Sequence, residues 1–170
     1  MKKLLIAGLL AAGACGTGSG GFEAISCGFS LPSCGLGPRS TAAPPGSQMP
    51  ASIIDPYLNI QTALAQDRVD EVRASAGEIA TAATSLGAPA MKIDTAALQL
   101  ASATELADAR EKFGTLTDAV ATYMDGERLK APDGVRRAYC PMARKSWLQK
   151  GDTLANPYYG TAMPTCGEFK

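Results

Sequence analysis

No histidine occurs anywhere in the 170 residues. That removes imidazole as a general acid or base and as the activator of a serine or cysteine nucleophile. It also removes the ligand around which the usual Zn²⁺ and Cu(II) sites are built. Aromatics are scarce, with one Trp, five Tyr and four Phe. The formal net charge is zero, so nothing in the overall balance calls for nucleic acid. The glycine run Gly16-Thr17-Gly18-Ser19-Gly20-Gly21 follows no strand and is not a phosphate-cradling loop. Asp and Glu are dispersed over helix faces as solvated residues are. The chain is therefore not expected to be an enzyme.

What is present begins with an export signal. Lys2-Lys3 is a positive leader, and residues 4–12 form an apolar stretch too short to span a bilayer as a helix. Ala12-Gly13-Ala14 then places small residues directly before Cys15. This pattern predicts a signal peptide over residues 1–14 and a lipidated Cys15, hence a lipoprotein facing the periplasm with the membrane as a partner. The other reading is an ordinary secretory signal cut at an Ala-x-Ala-like site, with Cys15 a bystander. Five cysteines is an odd number; giving Cys15 to lipid leaves Cys27 with Cys34 and Cys140 with Cys166. Export places such pairs where disulfides close. Residues 15–50, rich in Gly, Pro and Ser, read as a tether reaching some tens of ångströms. A Cys27–Cys34 loop would stiffen it.

From Asp55 the periodicity becomes helical. Asp55-Pro56 is a good helix start, and Tyr57, Ile60 and Leu64 share one face. A second helix is expected from near Asp67, with Val69, Val72, Ala76, Ile79, Ala83 and Leu86 in the 3-4 spacing of a bundle seam. Gly87-Ala88-Pro89 ends it. A short third helix is expected from Asp94 or Thr95 to Ala101. A fourth should follow the capping box Ser102-Ala103-Thr104-Glu105, with Leu106, Ala109, Phe113, Leu116, Val120 and Tyr123 as its seam and Asp125-Gly126 as its end. Gly114 inside that run costs about 1 kcal/mol relative to alanine, which points to a close approach by another segment, or to a kink.

These readings predict a mainly α fold: a small antiparallel bundle of three to four helices over residues 51–127. A loop-rich, cysteine-fastened module over residues 128–170 should pack on it. Residues 51–127 carry twelve acidic side chains against five basic ones, and residues 128–170 eight basic against three acidic. Such parts should dock on each other; the alternative is a basic patch for an anionic partner such as lipid headgroups.

The last residues hold an unusual set: Tyr139-Cys140-Pro141-Met142-Ala143, then Trp147-Leu148, Asn156-Pro157-Tyr158-Tyr159-Gly160, and Met163-Pro164-Thr165-Cys166-Gly167. Val135 to Tyr139 reads as a short extended segment, and Trp147 as a buried anchor. The set resembles a bacterial domain-of-unknown-function family found as small exported proteins and as a C-terminal extension of periplasmic adaptor subunits in copper/silver efflux. The Tyr57-Leu58-x-Ile60-x-x-Ala63-Leu64-Ala65 and Arg110-x-x-Phe113-x-x-Leu116 segments are similar too, so the resemblance covers residues 53–168. It implies a helical bundle and an association with heavy-metal resistance, with an efflux adaptor or other envelope protein as a partner. Relatives often carry histidines in the helical part, and this chain departs from them there.

Two chemistries compete for the C-terminal sulfurs. Cys140, Met142, Met163 and Cys166 supply two thiolates and two thioethers, the ligands that select Cu(I), with Ag(I) expected to behave alike. Alternatively, a Cys140–Cys166 disulfide would close a loop of about 26 residues and stabilise by roughly 3–4 kcal/mol, leaving the methionines as apolar filler. The functional expectation is an accessory protein of a metal resistance or efflux system. The alternative is a non-metal interaction lipoprotein stapled by that disulfide.

Overall fold

Four α-helices and a three-stranded sheet make up residues 47–170, the part of the chain that the computed structural model describes. The signal, the tether, the lipidation of Cys15 and the Cys27–Cys34 pair lie outside the described residues. The fold is mainly helical, with α1 at Ala51–Ala65, α2 at Asp70–Leu86, α3 at Met91–Ala101 and α4 at Leu106–Gly126.

The seams read from spacing are the buried faces. Val72, Ala76, Ile79 and Ala83 of α2 and Ala109, Phe113, Leu116 and Val120 of α4 are fully buried, while Val69, Leu86, Leu106 and Tyr123 lie partly buried at the ends of those stripes. The starts of the helices differ from expectation, each for a local reason. α1 begins four residues before Asp55, behind Pro50, whose carbonyl accepts from the N–H groups of Ile53 and Ile54 at 3.0 Å. The extra turn brings Ile53 and Ile54 into the core. Pro56 is thus inside the helix, where it deprives the Ser52 carbonyl of a donor; Ser52 is exposed, so water can serve it. α2 starts at Asp70 because Asp67 adopts a positive φ of 57° and turns the chain there. A single 3₁₀ turn at Ala88–Ala90 leads directly into α3, which therefore starts at Met91. No capping box forms at α4: its N-cap is Glu105, without a side-chain hydrogen bond. Ser102 instead donates its hydroxyl to Gln99 O at 2.6 Å and finishes α3.

The C-terminal module is not loop-rich throughout. Val135–Cys140 (β1) and Lys145–Lys150 (β2) pair antiparallel from Val135 with Lys150 to Cys140 with Lys145, and Glu168–Phe169 (β3) pairs on the other edge of β1. Trp147, Leu148 and Gln149 of β2 are buried in succession, so the strand lacks the apolar–polar alternation that would announce it. Both of its faces are covered, which explains the missing signal.

The helices pack chiefly on their neighbours in the chain, and α1 and α4 touch only lightly. β2 packs against both. The join is an aromatic row: Tyr57 of α1 and Phe113 of α4 have ring centroids 5.1 Å apart, Phe113 and Tyr158 6.0 Å, and Tyr158 and Trp147 6.1 Å in edge-on geometry. The polar tips are all bonded. Tyr57 Oη lies 2.7 Å from Thr117 Oγ1 and accepts from Leu148 N at 3.1 Å, while Tyr158 Oη donates to Ser146 O at 2.6 Å. Burial pushes both phenols well above the ordinary tyrosine range. Gly114 lies where Lys145 crosses α4, since a Cβ there would meet the lysine stem at 3.0 Å. Lys145 reaches on to Glu111 at 2.5 Å. Among the described residues this is the one ion pair joining the acidic and basic parts, so apolar contacts and hydrogen bonds, not matched charges, make the docking surface.

Candidate functional site

Cys140 closes β1, and the four-residue turn that follows, Pro141 to Arg144, returns the chain into β2. Arg144 takes the left-handed conformation, φ 54°, that lets so short a turn close. The turn folds back over Cys140, so that Ala143 N donates to its Sγ at 3.4 Å. Cys166 arrives from the far end of the module, two residues ahead of β3. Its Sγ stands 3.2 Å from that of Cys140, the two sulfurs unbonded.

Two residues hold Cys166 in place. Gly167 lies so close to Trp147 and to the Tyr139 carbonyl that a Cβ would fall 2.8 Å from the indole and 3.0 Å from the oxygen, and its φ of 149° disfavours any side chain. Asn156, fully buried, donates Nδ2 to Cys166 O at 2.6 Å. Its Oδ1 accepts from Tyr158 N at 2.8 Å and Tyr159 N at 3.3 Å, and its own N–H reaches Pro164 O at 2.8 Å. One amide thus ties the Tyr158-Tyr159 loop to the segment carrying Cys166.

The two thiols are unequal. Burial pushes the Cys140 thiol up. The Ala143 N–H, the Cys166 thiol, the Asn156 amide and the Met142 N–H outweigh it and bring the group below the ordinary thiol range. Cys166 is pushed up, first by its hydrogen bond to Cys140 and then by burial. The pair therefore ionises first at Cys140, with the Cys166 S–H donating to the resulting thiolate.

Of the four sulfurs singled out in the sequence, the fold brings together Cys140 and Cys166. Met142 is 62% exposed. Met163 is partly buried at the start of the turn into Cys166, and its carbonyl accepts from Cys166 N at 3.2 Å. Among the described residues no cluster of three or more Cys, Asp or Glu side chains is placed to hold a metal. The expected disulfide is not closed here, though bonding distance, about 2.05 Å, is a small side-chain movement away. Two thiolates on one metal at about 2.3 Å each would stand roughly 3.7 Å apart in tetrahedral geometry. The pair would have to open by about half an ångström to admit one, which a rotation of Cys166 can supply.

Sequence reasoning gave no separate role to Asn156, named only within the Asn156–Gly160 segment, or to Gln149. Gln149 is buried, accepts from Trp147 Nε1 at 2.9 Å and Ala155 N at 3.1 Å, and donates to Thr153 O at 2.7 Å. A polar residue directly after a Trp-Leu pair was the available signal. A second fastening lies on the bundle side. Arg110 donates to Pro157 O at 3.0 Å and to Leu64 O at 3.3 Å and pairs with Asp67, which in turn accepts from the Thr161 hydroxyl. The Thr161 hydrogen bond and Arg110 hold the Asp67 carboxyl below its usual range against the effect of burial. A Cβ on Gly160, φ 53°, would collide with both Asp67 Oδ1 and Arg110 Nη2. Gly160→Ala is therefore expected to destabilise by about 2–3 kcal/mol, combining left-handed strain with loss of the ion pair. A urea titration would show this as a lower midpoint at unchanged slope.

A surface groove of about 800 Å³ lies between α3 and α4 and includes neither cysteine. No helix of the described residues is long and apolar enough to cross a membrane. Comparison with protein-family models, curated proteins and solved structures finds no match for this chain.

Proposed function

We propose that this chain is an exported accessory protein of a heavy-metal resistance or efflux system. The Cys140–Cys166 pair is the seat of its chemistry and the binding site for Cu(I) or Ag(I). The observation that carries the reading is a pair of sulfurs 3.2 Å apart, one buried and one partly exposed, with the Ala143 N–H donating to the buried one. Paired thiolates select soft monovalent cations, and the hydrogen bonds that favour the charged form of Cys140 ease the proton loss that binding one requires. The resemblance of the Cys-Pro-Met and Asn-Pro-Tyr-Tyr-Gly segments to a metal-efflux-associated family points the same way. Lipidation at Cys15 would hold the module at a membrane surface on its tether, within reach of an efflux adaptor.

A second reading has its own observation. The sulfurs stand closer than two thiolates on one metal would, which favours closure to a disulfide and a stapled interaction module without metal.

A Cu(I) competition titration of full-length protein against a chromogenic chelator separates the two, with Cys27→Ser and Cys34→Ser introduced to silence the tether. The metal reading expects one Cu(I) per reduced chain, weakened by at least about tenfold in Cys140→Ser and in Cys166→Ser, with a smaller loss in Met163→Leu. Reduced protein that fails to compete ends the metal reading. Periplasmically produced protein without free thiols, regaining two on reduction, is the outcome the disulfide reading requires.

A further inference from the structure

The two sulfurs of the pair differ in how they can be reached. Cys140 is fully buried: the turn from Pro141 to Arg144 folds over it, with Ala143 N on its sulfur, and Cys166 stands against it. Cys166 is partly exposed. Its backbone cannot swing away easily, because the Asn156 amide holds its carbonyl and Gly167 is wedged between Trp147 and the Tyr139 carbonyl. A reagent arriving from solvent therefore meets the Cys166 sulfur before it can meet that of Cys140.

We infer that the pair performs thiol–disulfide exchange in a fixed order, with Cys166 taking the sulfur of an incoming disulfide and Cys140 resolving the adduct. In the first step Cys166 Sγ attacks one sulfur of the partner disulfide. The Cys166 proton passes to the Cys140 sulfur through the hydrogen bond between them, the partner's S–S bond breaks, and one partner thiol leaves as the thiolate and is protonated by solvent. In the second step Cys140 Sγ, 3.2 Å away, attacks Cys166 Sγ. The mixed disulfide breaks, and the second partner thiol leaves with the proton of Cys140. The dithiol loses two electrons and the partner disulfide gains them, so two thiols and one intramolecular disulfide result. Attack in the reverse order would require the buried sulfur to reach a bulky disulfide through the turn that covers it. The inference rests on the pair being the functional site, but not on its holding a metal.

The test uses the full chain with Cys15→Ser, Cys27→Ser and Cys34→Ser, reduced and then mixed with an aromatic disulfide, dithiobis(nitrobenzoate). The intact pair is expected to release two nitrothiolates per chain and to retain no adduct by mass. Adding Cys140→Ser should give one nitrothiolate and a stable adduct on Cys166. Adding Cys166→Ser should leave Cys140 reacting at least about tenfold more slowly than Cys166 does in the other variant, since reaction then waits on local opening. Trp147 fluorescence checks that both variants are folded. Sub-stoichiometric alkylation of the unsubstituted pair, mapped by peptide mass, reads the same order without any change to the site, and the label should fall on Cys166. Equal rates in the two variants, or a label on Cys140, overturns the order. Because no metal is involved, such a failure is distinct from failure of the Cu(I) titration.

Discussion

Trp147→Ala should cost about 3–5 kcal/mol and free the sheet from the helices. The range is that for truncating a fully buried aromatic, and three structural features place this residue in its upper half. The indole edge packs on Tyr158, which passes the contact on to Phe113 and Tyr57. The indole N–H satisfies one of the bonds of buried Gln149, which would be left short of a donor. Gly167 also lies against the ring, so a cavity here loosens the segment that holds Cys166. Chemical denaturation followed by far-ultraviolet circular dichroism measures the loss. A change under about 1 kcal/mol would mean that the aromatic row does not join sheet to bundle.

Asn156→Ala should be almost as damaging, and its effect should reach the sulfurs. The substitution leaves the buried Tyr158 N without its acceptor and the part-buried Cys166 O without its donor. Two such groups left unsatisfied cost about 1–3 kcal/mol each, so a loss of roughly 3 kcal/mol is expected. A purely structural residue would do no more. The Asn156 amide also helps hold the Cys140 thiol below its ordinary range, so its removal should raise the pH at which Cys140 becomes reactive. The sign follows from the hydrogen bond, which favours the charged form of Cys140; without it, ionisation moves to higher pH. The pH dependence of thiolate absorbance near 240 nm, recorded with the other cysteines replaced by serine, reads this directly. An unshifted curve in a folded variant would reduce Asn156 to a fastening.

The helices were legible where apolar spacing was sustained. Val72 to Ala83 and Ala109 to Val120 fall on the core face because a long 3-4 repeat has few competing interpretations. Helix starts were less legible. Ser102 and Glu105 match a capping box in sequence, yet the Ser102 hydroxyl is used by the preceding helix. Asp55-Pro56 matches a helix start, yet burial of Ile53 and Ile54 carries α1 past it. The sheet was hardest to read. Arg136 and Arg137 lie side by side in β1, and three consecutive buried residues occupy β2, so neither strand shows a period of two. The Cys140–Cys166 pairing could be proposed from sequence because few partners were available. That Met142 would be left exposed depended on the direction of a four-residue turn, which only the folded hairpin decides.

The fastening of α1 has a kinetic consequence. Its contacts with the C-terminal module join residues far apart in the chain: Tyr57 with Leu148, Gln61 with Ala155, and Asp67, just beyond the helix, with Thr161, across 91 to 94 positions. Loops of that length close late and at an entropic cost. A chain emerging N-terminus first can form helical hairpins early, but Tyr57 and Gln61 wait for strands and turns made last. Until Thr161 has emerged, the first helix and the turn after it carry polar groups whose distant partners are not all made. Folding of this module is therefore completed only after the segment carrying Cys166 has emerged, and Cys140 meets its partner sulfur at that closing step.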